Sequence, residues 1–320
     1  MSRAVTTVLR GHLKIARVDQ WVKNVCVLPG VVAAVGLDPE ADLERLVFRF
    51  FIGMASVCLI ASSNYVINEV MDAPHDRHHP TKRARPVPSG EVSVPFAYLQ
   101  WLVLMVVGLA VAWTMSRALA VVLAAFWVMG GIYNLPPIRS KELPYLDVLS
   151  EAINNPLRLL AGWFIATNAT VPPGSLLLSY WMVGAYFMAM KRFAEYRDLR
   201  TGDIAAAAMY RRSFAFYNEQ RLLVSMMFYA SAAMLFFGAF VMRYRLELIG
   251  SFPLVALVMA TSLALAFRPC SVVQQPEKLY REPSLMIAVA ACAAVIVILL
   301  FVDIPILYTV FAPTVPVSIR

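Results

Sequence analysis

From Leu285 to Val302 the chain runs for eighteen residues without a single charged side chain. At about 1.5 Å of rise per residue, a helix of that length spans most of a ~30 Å hydrocarbon slab. Comparable apolar runs recur along the chain, at 17–36, 46–67, 92–114, 118–134, 146–168, 175–193, 222–242, 249–267 and 285–309. They predict an all-α fold, a polytopic membrane helical bundle of about nine transmembrane helices, because lipid leaves an open chain no other way to satisfy its backbone groups. Hydrophobic residues make up 60% of the sequence and charged residues 15%. A soluble domain carries about a quarter charged residues, which excludes an ordinary aqueous globule. The first run has Asp19, Gln20, Lys23 and Asn24 in its opening turns, so only its second half suits lipid.

Cations set the expected orientation. The segments before the first run and after the second, fourth, sixth and eighth hold Arg10, Lys14, Lys82, Arg83, Arg85, Arg139, Lys141, Lys191, Arg192 and Arg197 among others. The opposite segments hold Arg45, Arg117, Arg243 and Arg245. The positive-inside rule puts the rich side and the N-terminus in the cytoplasm and the C-terminus outside the cytoplasmic membrane. The formal net charge of +8 then reflects topology, and nucleic acid is not an expected partner. Residues 1–16 have no continuous apolar core, so no cleavable signal peptide is expected. Cys26, Cys58, Cys270 and Cys292 are isolated and show neither metal nor disulfide spacing. Without a long linker, residues 1–320 read as one transmembrane domain. It has a short cytoplasmic segment, 1–16, and cytoplasmic cap loops at 68–91 and 194–221.

One passage breaks the apolar pattern. Residues 68–90, NEVMDAPHDRHHPTKRARPVPSG, follow the second run directly and concentrate acids, bases, histidines and prolines. Asn68, Asp72 and Asp76 stand at i, i+4 and i+8, with Glu69 beside the first, a spacing that stacks side chains on one stripe of a helix. Pro74 lacks an amide proton, so the helix is expected to end near Asp72, with Asp76 swinging in from the loop. Carboxylates gathered at a buried helix end need a cation between them. Hard oxygen ligands, few and with positions left open, suit Mg2+ shared with a substrate's phosphates. Arg77, Lys82, Arg83 and Arg85, on a Pro-stiffened loop, can bind the phosphate oxygens that the metal leaves uncovered. A solvated loop that only sets topology is the plainer alternative, but Asn68 and Asp72 lie close to the apolar run. His75, His78 and His79 lack a ligand-like set and read as loop residues.

A second cluster closes the sixth run. In KRFAEYRDLRTGD, residues 191–203, Lys191 and Glu195 share a helix face, Asp198 follows and Asp203 lies beyond. Two acid-bearing helix ends on one side of the membrane can each hold a magnesium around one diphosphate. An ordinary surface ion pair between Lys191 and Glu195 is the alternative. RVDQWVKN, residues 17–24, puts Arg17, Gln20, Lys23 and Asn24 largely on one side of the first helix, as a snorkelling anchor or as contacts to phosphate or sugar. Arg139 and Lys141 belong to a Pro-Pro turn after the fourth run. Glu151, Asn154, Asn155 and Arg158 lie inside the fifth, and polar residues in lipid normally face a cavity.

With NEVMDAPHD after its second run and KRFAEYRD after its sixth, the chain resembles the UbiA superfamily of intramembrane prenyltransferases over most of its length. The superfamily's N-D-x-x-D-x-x-x-D motif matches at Asn68, Asp72 and Asp76 and departs at its first Asp, where this chain has Glu69. In the second motif Glu195 or Asp198 takes the acid's place. LKIARVDQWVKNVCVLPG, DRHHPTKRARPVPSG and MKRFAEY are similar to a branch that uses phosphoribosyl diphosphate as donor and a polyprenyl phosphate as acceptor, whereas YNLPPIRSK is similar to branches that prenylate rings.

The resemblance implies a Mg2+-dependent transfer in which diphosphate leaves a carbon able to carry positive charge. It assigns catalysis to Asp72, Asp76 and Lys191, and the metal to Glu69, Asp72, Asp76, Glu195 and Asp198. Substrates fall to Lys23, Asn24, Asn68, Lys82, Arg83, Arg85, Arg139, Lys141, Asn155, Arg158, Tyr186 and Arg192. A phosphoribosyl donor with a polyprenyl-phosphate acceptor is the first expectation. A prenyl diphosphate acting on an aromatic acceptor is second, and a transporter of an anionic metabolite is third. The partners implied are the bilayer, an isoprenoid lipid and a diphosphate donor, with self-association into a homo-oligomer left open.

Overall fold

The structure, a computed structural model, describes residues 10–38, 43–77, 82–200, 212–274 and 276–312. It is helical, with no strand among the described residues. Among the described residues, seven helical stretches are long and apolar enough to cross a bilayer: Arg10–Leu37, Leu43–Asp76, Val94–Met115, Arg117–Asn134, Glu219–Tyr244, Leu246–Ala266 and Pro283–Phe301. The two other runs read as spans, 146–168 and 175–193, take a broken and a charge-bearing form described below.

The first run is not one continuous α-helix. Val18–Val27 wind as a 3-10 helix after Arg17, which sits in the left-handed region at φ 50°, and α1 (Leu28–Leu37) follows. Pro29 has no amide proton for the Val25 carbonyl, which takes the Leu28 N–H instead and keeps the chain tightly wound there. Gln20 and Asn24 end up buried.

The next helix, α2 (Leu43–Asp76), has 34 residues. At about 1.5 Å per residue it is far longer than the hydrocarbon is thick, so its last turns carry polar side chains clear of lipid. The expected stop near Asp72 is corrected, since the helix continues through Pro74 and includes His75 and Asp76. Pro74 lies in the final turn, where it removes one backbone bond. The Arg77 N–H still closes on the Ala73 carbonyl at 3.1 Å.

Two hairpin helices, α3 (Val94–Met115) and α4 (Arg117–Asn134), meet at Ser116, whose hydroxyl caps α4 by accepting from the Leu119 N–H at 3.3 Å. The fifth run divides into α5 (Leu146–Ala152) and α6 (Asn154–Ala166), because Pro156 offers no N–H to the Ala152 carbonyl. The remaining helices are α7 (Gly174–Arg200), α8 (Glu219–Tyr244), α9 (Phe252–Ala266), α10 (Pro283–Phe301) and the short α11 (Pro305–Val310).

Apolar packing forms two main cores. One joins α1, α2, α4 and α6 through Val31, Ile60, Leu123 and Ile165. The other joins α5, α7, α8 and α9 through Val148, Met190, Leu222 and Leu265. Outward faces remain apolar: Val106 on α3 is 58% exposed and Ile287 on α10 is 70% exposed. Surface of this kind belongs in lipid, and the chain is an integral membrane protein.

The first run and α6 cross with their backbones touching. A Cβ on Gly30 would lie 2.0 Å from the Leu159 carbonyl oxygen, and one on Gly162 would lie 2.1 Å from that of Val27. Only glycine permits so close an approach. The crossing carries the polar start of the first run up against Arg158.

Candidate active site

Between the two cores, at the polar end of α2, lies a cavity of about 830 Å³. The first run contributes Arg17, Gln20 and Lys23; α2 contributes Asn64, Tyr65, Asn68 and Asp72; and the loop after α2 contributes Lys82 and Arg85. Opposite them stand Phe126, Tyr133 and Asn134 of α4, Lys141, Glu151 of α5, and Asn154 and Arg158 of α6. Lys191, Arg192, Glu195 and Asp198 of α7 complete the wall with Gln274.

Asp72 is the hub on the α2 side. It accepts from Lys141 Nζ at 2.5 Å and from Arg139 at 3.2 Å. Lys141 also donates to Asn134 Oδ1 at 2.9 Å, and that oxygen takes the Asn68 amide at 2.6 Å. The stripe on α2 and the Pro-Pro turn therefore converge. Across the cavity, Glu195 accepts from Arg192 at 2.9 Å, and Asp198 accepts from Gln274 at 2.5 Å and from the Cys270 N–H at 3.2 Å. Asn24 lies behind the wall, where its Oδ1 accepts from Arg158 at 3.0 Å, and the Arg158 guanidinium sits 4.9 Å over the Phe126 ring.

Several expected site residues are placed elsewhere. Glu69, expected as a metal ligand, is 4% exposed and accepts the Val87 N–H at 3.0 Å, tying the cap loop to α2. One helical step of about 100° from Asn68 turns it off the stripe. Asp76 is buried behind Arg85 and holds it at 2.6 Å, so its reach to the cavity is through that arginine. Arg83 is exposed and outside the wall. Asn155 packs on α7, where a Cβ at Gly184 would lie 2.2 Å from its Nδ2, and its neighbour Asn154 faces the cavity instead. The helix break at Ile153 decides which of the two asparagines points inward. Tyr186 is buried and donates to the Met259 carbonyl at 2.9 Å, joining α7 to α9. His78, His79 and Asp203 lie outside the described residues.

Asn64, Asn134 and Gln274 were not selected from sequence. Asn64 continues the α2 stripe at four residues before Asn68, a signal that was present. Gln274 arrives from the segment between α9 and α10, 76 residues from the Asp198 it binds, and no local pattern marks it.

No three metal-ligating side chains converge among the described residues. Asp72 and the Glu195–Asp198 pair instead face one cavity from α2 and α7. Magnesium takes one or two carboxylates and completes its shell with phosphate and water oxygens, so this donor set fits it without an all-protein cage.

A lipid-embedded helical bundle with carboxylates and many cations around one inner cavity has the build of an intramembrane transferase. The sequence model of the UbiA prenyltransferase family matches residues 24–279, and the chain belongs to that family. It is 32% identical over 230 residues to the decaprenyl-phosphate phosphoribosyltransferase of Mycolicibacterium smegmatis, covering 71% of this chain and 69% of that one. To the protein of the same name from Mycobacterium tuberculosis it is 33% identical over 229 residues, covering 71% and 72%. Its fold matches that of a UbiA homolog from Archaeoglobus fulgidus bound to GPP and Mg2+, with a TM-score of 0.67 at 20% identity, over 89% of this chain and 99% of that one.

Proposed function

We propose that this transferase moves 5-phosphoribosyl from phosphoribosyl diphosphate to a polyprenyl phosphate, with Mg2+, at the cytoplasmic face of the membrane. The charge of the cavity wall carries the proposal: Arg17, Lys23, Lys82, Arg85, Lys141, Arg158, Lys191 and Arg192 stand against Asp72, Glu151, Glu195 and Asp198, eight cations to four acids. A prenyl donor brings one diphosphate and a hydrocarbon tail. The phosphoribosyl donor and lipid acceptor together bring a diphosphate, a 5-phosphate and a lipid phosphate, which use the surplus. The names of the mycobacterial relatives support the same pair of substrates.

In this proposal Lys82 and Arg85 grip the leaving diphosphate from the cap loop. Magnesium held by Asp72 with Glu195 or Asp198 would offset the charge that develops as diphosphate departs. Lys23 and Arg158 receive the 5-phosphate. The bond from C1 to diphosphate breaks and a lipid phosphate oxygen bonds C1 in its place. That oxygen is already anionic, so no side chain has to remove a proton. The cation-rich loops and the N-terminus face the cytoplasm.

Lys82→Ala and Arg85→Ala should each raise the donor's apparent KM about ten- to hundredfold, since a contact to a charged group is worth roughly 1.5–3 kcal/mol. The thermal midpoint should not move in Lys82→Ala, and in Arg85→Ala it should fall, because the buried Asp76 carboxylate loses the guanidinium it holds at 2.6 Å. An unchanged KM in both variants would return the loop to a purely topological role.

The donor is tested with purified protein, polyprenyl phosphate and either labelled phosphoribosyl diphosphate or labelled prenyl diphosphate, with Mg2+ or a chelator. Lys23→Ala should weaken phosphoribosyl diphosphate by about tenfold or more and leave inorganic diphosphate nearly unaffected. Transfer from prenyl diphosphate alone, without binding of the ribosyl donor, would overturn the proposal. It would promote prenylation of an aromatic acceptor beside the Tyr65, Phe126 and Tyr133 side chains of the same wall.

A further inference from the structure

On the α7 side, a polar cluster runs from the cavity wall, where Glu151, Arg192 and Glu195 stand, to Asp147 behind it. Asp147, at the start of α5, is fully buried, and so is Arg192 apart from 2%. Arg192 spends every terminal and bridging nitrogen on a carboxylate: Nε on Asp147 at 3.2 Å, Nη2 on Glu151 at 3.0 Å and Nη1 on Glu195 at 2.9 Å. Glu151 and Glu195 face the cavity; Asp147 does not. Asp147 is itself held from the far side. Its Oδ1 accepts from the Tyr217 hydroxyl at 2.5 Å, and its Oδ2 accepts from the Ser213 hydroxyl at 3.3 Å. The Tyr217 oxygen accepts the Tyr145 N–H at 2.6 Å, which leaves its proton no direction but Asp147. Burial, and after it the Asp147 charge, push the Tyr217 hydroxyl above its ordinary value, so it remains a donor at working pH.

A fully buried pair such as Asp147 and Arg192 adds little net stability, because desolvation offsets the attraction. A fork with all its bonds made is, however, rigid, and it fixes the angle between the two glutamates it carries. We infer that Asp147, locked by Tyr217 and Ser213, is a positioning residue for the transfer: it sets Arg192, and through Arg192 it aims Glu151 and Glu195 into the cavity. Ser213 and Tyr217, ahead of α8, thereby take part in shaping the site without lining it. The inference rests on the proposal that Glu195 helps to hold a metal.

The test uses full-length protein in detergent and three variants: Tyr217→Phe, which keeps the ring and loses one hydroxyl, Ser213→Ala, and Asp147→Asn. Manganese binding in the presence of inorganic diphosphate, read by electron paramagnetic resonance, reports the aim of the glutamates apart from turnover. Groups that orient a ligand typically matter ~10- to 100-fold, so Tyr217→Phe and Asp147→Asn should weaken Mn2+ and lower kcat by that order, with the donor KM within about twofold. Ser213→Ala should fall between these and the unaltered protein. The double variant Tyr217→Phe/Asp147→Asn should be no worse than Asp147→Asn, because both act through one carboxylate. Full Mn2+ affinity and kcat in Tyr217→Phe and Asp147→Asn would overturn the inference, as would a kcat loss that tracks thermal stability with Mn2+ affinity intact. Failure of the unaltered protein to bind Mn2+ with diphosphate would overturn the metal assignment itself.

Discussion

Asp72→Asn should lower turnover by at least ~100-fold, the order expected when a preorganised charge at the reacting centre is lost. Asp72 faces the cavity and accepts from both Lys141 and Arg139. Asparagine keeps the shape and some of the hydrogen bonds and removes the charge, so Lys141 and Arg139 would be left to repel one another and any bound metal. The loss should appear in kcat, measured as label transferred to polyprenyl phosphate at saturating donor and Mg2+. Asp76→Asn should cost less and should appear chiefly in the donor KM, because Asp76 acts through Arg85 at 2.6 Å. Turnover by Asp72→Asn near the unaltered rate would remove the reaction from this end of α2. Equal kcat losses in the two variants would show instead that Asp76 reaches the substrate directly.

Gly162→Val should prevent stable folding altogether. The first atom it adds would fall 2.1 Å from the Val27 carbonyl oxygen, and the obstacle is backbone, which cannot swing aside as a side chain can. Overpacking of side chains costs about 1–3 kcal/mol, and forcing two helix backbones apart exceeds that range. The crossing it would open is also what sets Asn24 against Arg158 at 3.0 Å. The measurement is the fraction of monodisperse protein after detergent extraction, with the thermal midpoint of whatever survives. Gly238→Ala is the control, since nothing lies within 4 Å of a Cβ there. A Gly162→Val protein as stable as this control would mean that the two helices do not cross as described.

Apolar length and charge placement are local properties, and they were legible. Runs long enough to cross lipid, the i, i+4, i+8 stripe of Asn68, Asp72 and Asp76, and the cations of the Pro-Pro turn could all be read from neighbouring residues, because helical periodicity converts spacing directly into a shared face. Winding was less legible. Pro29 and Pro156 each remove a single backbone bond, and whether that kinks a helix, divides it or is absorbed, as at Pro74, depends on its place in the turn. That difference moved Asp76 onto α2 and chose Asn154 over Asn155. What only the tertiary structure decided was partnership across the bundle. Glu69 stands beside the motif yet serves the Val87 backbone, and Tyr186 serves a carbonyl on α9. Gln274 joins Asp198 from 76 residues away, and Tyr217 reaches Asp147 across 70. A side chain's neighbour in sequence is set by covalent geometry, but its hydrogen-bond partner in lipid is whichever polar group packing brings within 3 Å or so, because leaving a polar group unpaired there is costly.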